Sequence, residues 1–140
     1  NIDLRTKSFF QIVKSIAPSM KERKYGRIVN ILTSYVIGRP PNNQSSYIVS
    51  KYSLLGLSKS LSVELGSYGI TVNSVSPSMT NTNLIEKLPL KLKEIIANNV
   101  PVGRLADPND ITSAVLFLCS KNSSYISGEN ILVSAGETMH

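Results

Sequence analysis

The sequence predicts an α/β protein on a parallel sheet, part of a doubly wound fold with a proton-transfer site at one sheet edge. Three observations predict it. Short apolar, β-branched runs alternate with longer stretches of helical periodicity, and turn residues separate the two. Ser34 stands at the end of one such run, thirteen residues before Tyr47. Lys51 follows Tyr47 by four residues, one helical turn on.

The elements follow in order. Apolar periodicity predicts a helix from about Thr6 to Arg23, then a strand from Arg27 to Leu32 that ends at Thr33-Ser34. Pro40-Pro41-Asn42-Asn43 marks an exposed loop. A helix from Ser45 to Ser67 carries a stripe at Ile48, Leu55, Ser58, Leu61 and Leu65, and Gly66 and Gly69 bracket the turn out of it. A strand from Ile70 to Ser76, a helix around Leu84 to Asn98 and a helix from Pro108 to Ser120 come next. The last of these has Asp107 as N-cap and proline at its first position. Asn130 to Val133 is the final strand.

Three strands fill only part of a doubly wound sheet, whose faces must both be covered and whose inner strands must be paired. The expectation is therefore a partial single domain over residues 1–140, with N-terminal strands missing from this chain. No two glycines are separated by a single residue, so no Gly-x-Gly-x-x-Gly phosphate loop lies in these residues.

Composition narrows the function classes. The 140 residues are 41% apolar and 17% charged, ordinary for one globular domain with a core. No apolar run is long enough to span a bilayer and the first residues lack a signal pattern, so no membrane partner is expected. Cys119 lies among Val115, Leu116, Phe117 and Leu118 and reads as a buried small hydrophobe. A lone cysteine allows no disulfide framework and fits a reducing, cytoplasmic setting. The one histidine, His140, and nine scattered acids offer no metal site. The net charge of +6 gathers in the first thirty residues, at Arg5, Lys7, Lys14, Lys21, Arg23, Lys24 and Arg27. It reads as a solvated helix face, or as attraction for an anionic cofactor, an acyl-carrier partner or nucleic acid. Without an aromatic stacking platform, no nucleic-acid partner is expected.

A further series of motifs is carried by Tyr25-Gly-Arg-Ile-Val-Asn30, Leu55-Gly-Leu-Ser-Lys-Ser-Leu-Ser-Val-Glu-Leu65 and Gly69-Ile-Thr-Val-Asn-Ser-Val-Ser-Pro77. Gly103-Arg-Leu-Ala-Asp-Pro-Asn-Asp110 and Ser124-Tyr-Ile-Ser-Gly128 continue it. With Ser34, Tyr47 and Lys51 in the same order, the chain resembles the C-terminal part of a short-chain dehydrogenase/reductase. The likeness runs from the fourth helix of the family's Rossmann-type fold to its last strand, and is nearest to the 3-oxoacyl-acyl-carrier-protein reductase and carbonyl-reductase branch.

The resemblance implies hydride transfer between NADP or NAD, with NADP preferred, and a small-molecule carbonyl or acyl-thioester substrate. It makes Tyr47 the acid/base, Lys51 the group that lowers the phenol pKa and holds the nicotinamide ribose, and Ser34 the hydrogen-bond donor to the substrate oxygen. It assigns Pro77, Ser78, Thr80 and Thr82, with Tyr47 and Lys51, to cofactor binding. Asn73 becomes a structural tie between loops. Residues from Asn83 to Val100 become a substrate lid, whose apolar residues fit a pocket lining or a plain amphipathic helix equally. It also implies a homodimer or homotetramer.

The chain departs from the family pattern in three places. Gapless alignment puts Arg5 at the place of a catalytic asparagine, and a two-residue shift puts Asp3 there instead. An arginine near Lys51 would depress the lysine pKa further. Ser78 replaces a glycine after the proline, losing freedom at φ > 0, and Ser134-Ala135-Gly136 replaces Asp-Gly-Gly. Arg5 and Ser78 support a second reading, a catalytically weak or inactive family member serving as scaffold or regulatory subunit.

Overall fold

In a computed structural model the chain is described over residues 2–140, with the side chains of residues 2, 3 and 84 outside the description. Helix α1 (Ile2–Glu22) leads into strand β1 (Gly26–Ile31), and helix α2 (Ser45–Gly66) crosses over to strand β2 (Ile70–Pro77). Helices α3 (Asn83–Glu86), α4 (Leu90–Asn98) and α5 (Pro108–Cys119) precede strand β3 (Asn130–Val133). The sheet is parallel with order β1-β2-β3. Gly26 lies opposite Ile70 and Ile31 opposite Val75, while Ser74 pairs with Asn130 and Pro77 with Val133. Helices α1 and α2 cover one face, and α5 lies on the other against all three strands.

Strand β2 is buried from Ile70 to Ser76 because it is covered on both faces and paired on both edges. Its polar side chains are consequently structural. The Asn73 amide nitrogen donates to the Ile126 carbonyl at 2.8 Å, and its oxygen accepts from Glu129 N–H at 3.0 Å, tying the loop before β3 to the sheet as expected. Ser76 Oγ donates to Asn130 Oδ1 at 2.7 Å.

The main core joins Val13 and Ala17 of α1, Leu61 and Leu65 of α2, and Ile28, Ile70 and Val72 of the sheet. The buried line of α2 runs through Ser50, Leu54, Ser58, Leu61 and Leu65. Ile48 and Leu55, placed on that line by periodicity, are half-buried beside it. Two serines can occupy the deepest positions because each hydroxyl bonds back to its own helix, Ser50 to Tyr47 O and Ser58 to Leu54 O.

Several expectations need correction. The helix drawn from Leu84 to Asn98 is two helices, because Pro89 has no N–H to donate and biases the residue before it towards extended backbone. Cys119 is exposed, since Leu118 takes the buried position at the end of α5 and the next residue points away. Ser78 has no positive φ; the left-handed positions in these segments are Ala135, at φ 50°, and Gly136, at φ 85°. Short 3-10 turns at Ser34–Val36 and Lys121–Ser123 were not anticipated.

The start of α5 follows the expected capping chemistry. The Asp107 side chain accepts from Asn109 N–H, and the Asp110 carboxylate accepts from Asp107 N–H, forming a capping box. Arg104 grips the same Asp110 with both terminal guanidinium nitrogens, Nη1 and Nη2, at 2.6 and 3.1 Å. Among the described residues no helix is long and apolar enough to cross a membrane.

Gly69 sits at φ +72° with a virtual Cβ 2.4 Å from the Lys24 carbonyl oxygen, so both conformation and space demand glycine. Gly69→Ala is expected to lower stability by about 2 kcal/mol or more in urea unfolding. Asp107→Ala, which removes one cap, is expected to lower it by about 1 kcal/mol in the same measurement.

Candidate active site

The site forms where β1 and β2 end and α2 begins, because parallel strands joined by a crossover helix bring those termini to one edge. Tyr47 lies in the first turn of α2 and Lys51 one turn later. Lys51 Nζ lies 5.7 Å from the centroid of the Tyr47 ring and donates to the carbonyl oxygen of Ile31, the last residue of β1, at 2.8 Å. That bond fixes the ammonium at the strand end. Burial, and then the Arg5 guanidinium, hold the Lys51 pKa below its usual value.

Ser34 is buried three residues beyond Ile31, in a 3-10 turn that Thr33 opens by accepting from Tyr35 N–H. Its carbonyl accepts from Ile37 and Gly38 N–H at 3.0 and 2.9 Å, so the turn is closed by its own backbone. Leu32 and Val36 on either side pack with Leu54 of α2, which seats the serine turn against the helix carrying Tyr47.

Arg5 reaches the same place from α1. Its guanidinium carbon is 5.3 Å from the Tyr47 ring centroid, and Nη1 is 3.4 Å from Ser50 Oγ. The side chain of Asp3, the shifted-alignment candidate, lies outside the described residues.

Sequence reasoning missed Tyr35 and Glu137. Burial, then the Glu137 carboxylate, then Tyr47 push the Tyr35 phenol pKa upward, which places all three groups within electrostatic reach. The segment around Glu137 folds back on the turn: Ser134 Oγ donates to Thr138 O at 2.8 Å, and a Cβ on Gly38 would stand 2.9 Å from Thr138 Cγ2. The adjacency of Tyr35 to Ser34 was the only available signal, and the return of the tail is not written in local periodicity.

Pro77, Thr80 and Thr82 line a cavity of about 530 Å³ together with Ile31 and with Pro108, Ile111, Thr112, Val115 and Leu116 at α5. Its size suits a small-molecule site. Ile31 is common to both parts: it is among the residues lining the cavity, and its carbonyl accepts from Lys51. Thr80 is pinned by bonding Ser78 O and by a bridge to Ala106. Ser78 departs from this group: it lines a separate cavity of about 430 Å³ with Arg104, Asp110, Ser134 and Ala135. Among the described residues no cluster of His, Cys, Asp and Glu could hold a metal ion.

A sequence profile described as enoyl-(acyl carrier protein) reductase matches residues 1–138. The chain is 39% identical over 139 residues to a 3-oxoacyl-[acyl-carrier-protein] reductase of Rickettsia prowazekii, covering 99% of this chain and 57% of that protein. It is 33% identical to the (2S)-[(R)-hydroxy(phenyl)methyl]succinyl-CoA dehydrogenase subunit BbsD of Thauera aromatica, over 99% of this chain and 55% of the relative. A crystal structure from Agrobacterium tumefaciens, provisionally assigned as a gluconate dehydrogenase, superposes with a TM-score of 0.86 at 26% identity, covering 94% of this chain and 52% of that one. The chain belongs to the short-chain dehydrogenase/reductase family. Its three parallel strands are the C-terminal part of the family's doubly wound sheet, and it spans a little over half the length of the curated relatives it matches.

Because the folded-state pKa of Lys51 lies below the ordinary 10.5, the unfolded chain binds this proton more tightly. The cost of the charged lysine is fully present below the folded-state value and is relieved as pH rises towards 10.5. The stability of the protein relative to Lys51→Met is therefore expected to rise through that alkaline window. Thermal unfolding of both proteins across it reads the sign, and a falling difference would contradict this assignment.

Proposed function

We propose that the protein is an NAD(P)-dependent oxidoreductase that reduces a ketone or 3-oxoacyl thioester, reversibly, with Tyr47 as acid/base and NADP as the preferred cofactor. One observation carries the reading: Lys51, beside the Tyr47 ring, donates to the carbonyl of Ile31, and Ile31 is also part of the lining of the cavity formed by Pro77, Thr80 and Thr82. The similarity to 3-oxoacyl-[acyl-carrier-protein] reductases supports the substrate class.

These residues fit a nicotinamide riboside. Ile31 and Pro77 offer apolar surface for a flat ring, while Thr80, Thr82 and the Lys51 ammonium offer polar groups for its carboxamide and ribose. When bound, the nicotinamide supplies the hydride. The Tyr47 hydroxyl then gives its proton to the substrate carbonyl oxygen, and the charge on Lys51 favours the phenolate left behind. The Ser34 hydroxyl donates to the same substrate oxygen and stabilises the charge developing there. In the oxidative direction Tyr47 removes the alcohol proton.

We further propose a homodimer or homotetramer in the cytoplasm. The exposed Val49, Tyr52 and Val63 of α2, and Leu4 and Ile12 of α1, support self-association. The second reading, a family member that turns over weakly and serves as a scaffold, is favoured by the arginine at position 5.

Tyr47→Phe is expected to lower turnover by about a thousandfold. Oxidation of NADPH and NADH by the full-length protein, with a short 3-oxoacyl thioester and a panel of ketones, measures it. A phenylalanine variant as active as the parent would remove Tyr47 from the mechanism. An inactive parent that also leaves cofactor fluorescence unchanged would favour the scaffold.

A further inference from the structure

The mechanism above gives Arg5 no task, although its cation sits against the proposed acid/base. Its two contacts converge on one residue. The guanidinium carbon lies 5.3 Å from the centroid of the Tyr47 ring, within the range of a cation–π attraction. Nη1 meets Ser50 Oγ at 3.4 Å, and that hydroxyl, only 1% exposed as a residue, donates to the Tyr47 carbonyl at 2.7 Å. Arg5 thus touches the ring of Tyr47 directly and reaches its backbone through Ser50. Lys51 Nζ approaches the same ring at 5.7 Å, so two cations share one aromatic neighbour.

The chemistry of guanidinium decides what such a residue can do. It is planar, carries donors and no acceptor, and stays protonated throughout the range in which proteins work. A side chain of this kind cannot pass a proton along a chain of hydrogen bonds. What it can do is stack, donate, and hold a charge that does not change with pH.

We infer that Arg5 is a positioning residue of the Tyr47 and Lys51 pair: stacked on the ring and tied through Ser50 to the Tyr47 backbone, it fixes the phenol and keeps a permanent positive charge beside the lysine. The inference rests on the reading of Tyr47 as acid/base and deepens it. Lys51 faces Arg5 from α1, the Tyr47 ring from its own helix and the Ile31 carbonyl from β1. Tyr35 of the serine turn lies within electrostatic reach of Tyr47 and of Glu137 in the tail. Arg5 is the one cation among these neighbours, which agrees with its place beside burial as a cause of the lowered Lys51 pKa.

The test compares Arg5→Gln and Arg5→Lys with the parent and Tyr47→Phe, all in the full-length protein. Steady-state kinetics over pH are read beside NMR titration of labelled lysine side chains, with the Lys51 signal assigned by its absence in Lys51→Met. Arg5 is exposed, so Arg5→Gln is expected to lower kcat by about two- to fivefold, the size of a cation–π contact at an exposed site, with KM for the carbonyl substrate within about twofold. Its Lys51 midpoint should move up. Arg5→Lys should leave that midpoint near the parent's while restoring kcat only in part, because an ammonium keeps the charge without the planar stack. An Arg5→Gln protein with unchanged Lys51 midpoint and unchanged kcat overturns the inference. If Tyr47→Phe is inactive while Arg5→Gln matches the parent, this inference alone fails. If Tyr47→Phe matches the parent, the acid/base reading fails and takes the inference with it.

Discussion

Strand β2 is paired along both edges and covered on both faces, so each polar group it carries must be matched inside the protein or left without water. That constraint shapes its surroundings. Asn73 uses both ends of its amide to fasten residues 126 and 129, which fixes where β3 begins, and Ser76 reaches across to Asn130 in β3. On the neighbouring strand, Asn30 spends its amide on Ser58 of α2. The sheet and its covering helix are therefore registered to one another by directional bonds as well as by apolar contact.

The site inherits its geometry from that arrangement. With α2 locked over β1 and β2, Tyr47 and Lys51 can take only one position relative to the strand ends, and the Ile31 carbonyl becomes the natural acceptor for the lysine. Bringing an ammonium into a half-buried place beside an arginine works against its charge, and the bond to Ile31 offsets part of that penalty. A strained electrostatic arrangement of this sort is common where charge must shift during a reaction.

Much of the fold was legible in the chain because its signals are local. The last strand matches its expected limits, the two other strands differ by a residue at their ends, and Asp107-Pro108 marks the start of α5 through capping chemistry alone. Tyr47 and Lys51 were legible as a pair from helical spacing. The failures have physical causes. An apolar pattern from Leu84 to Asn98 hid a break that Pro89 imposes on the backbone. Cys119 sits in an apolar run, yet burial at a helix end depends on rotation about the axis, which composition does not report. The meeting of Tyr35 with Glu137 joins residues about a hundred positions apart, and only the path of the tail after β3 brings it about. Arg5 was visible as a departure; its stack on Tyr47 required knowing how α1 lies on α2.

The folded-back segment after β3 has a mechanical meaning for the serine turn. Gly38 closes that turn against the Thr138 side chain so tightly that a Cβ there would force Thr138 to shift, and Ser134 holds Thr138 through its carbonyl. Residues 134–138 therefore act as a wedge behind the turn that carries Ser34. Any trimming, fusion or binding event that pulls this wedge outward would loosen the turn that carries Ser34 from behind, without touching Tyr47 or Lys51.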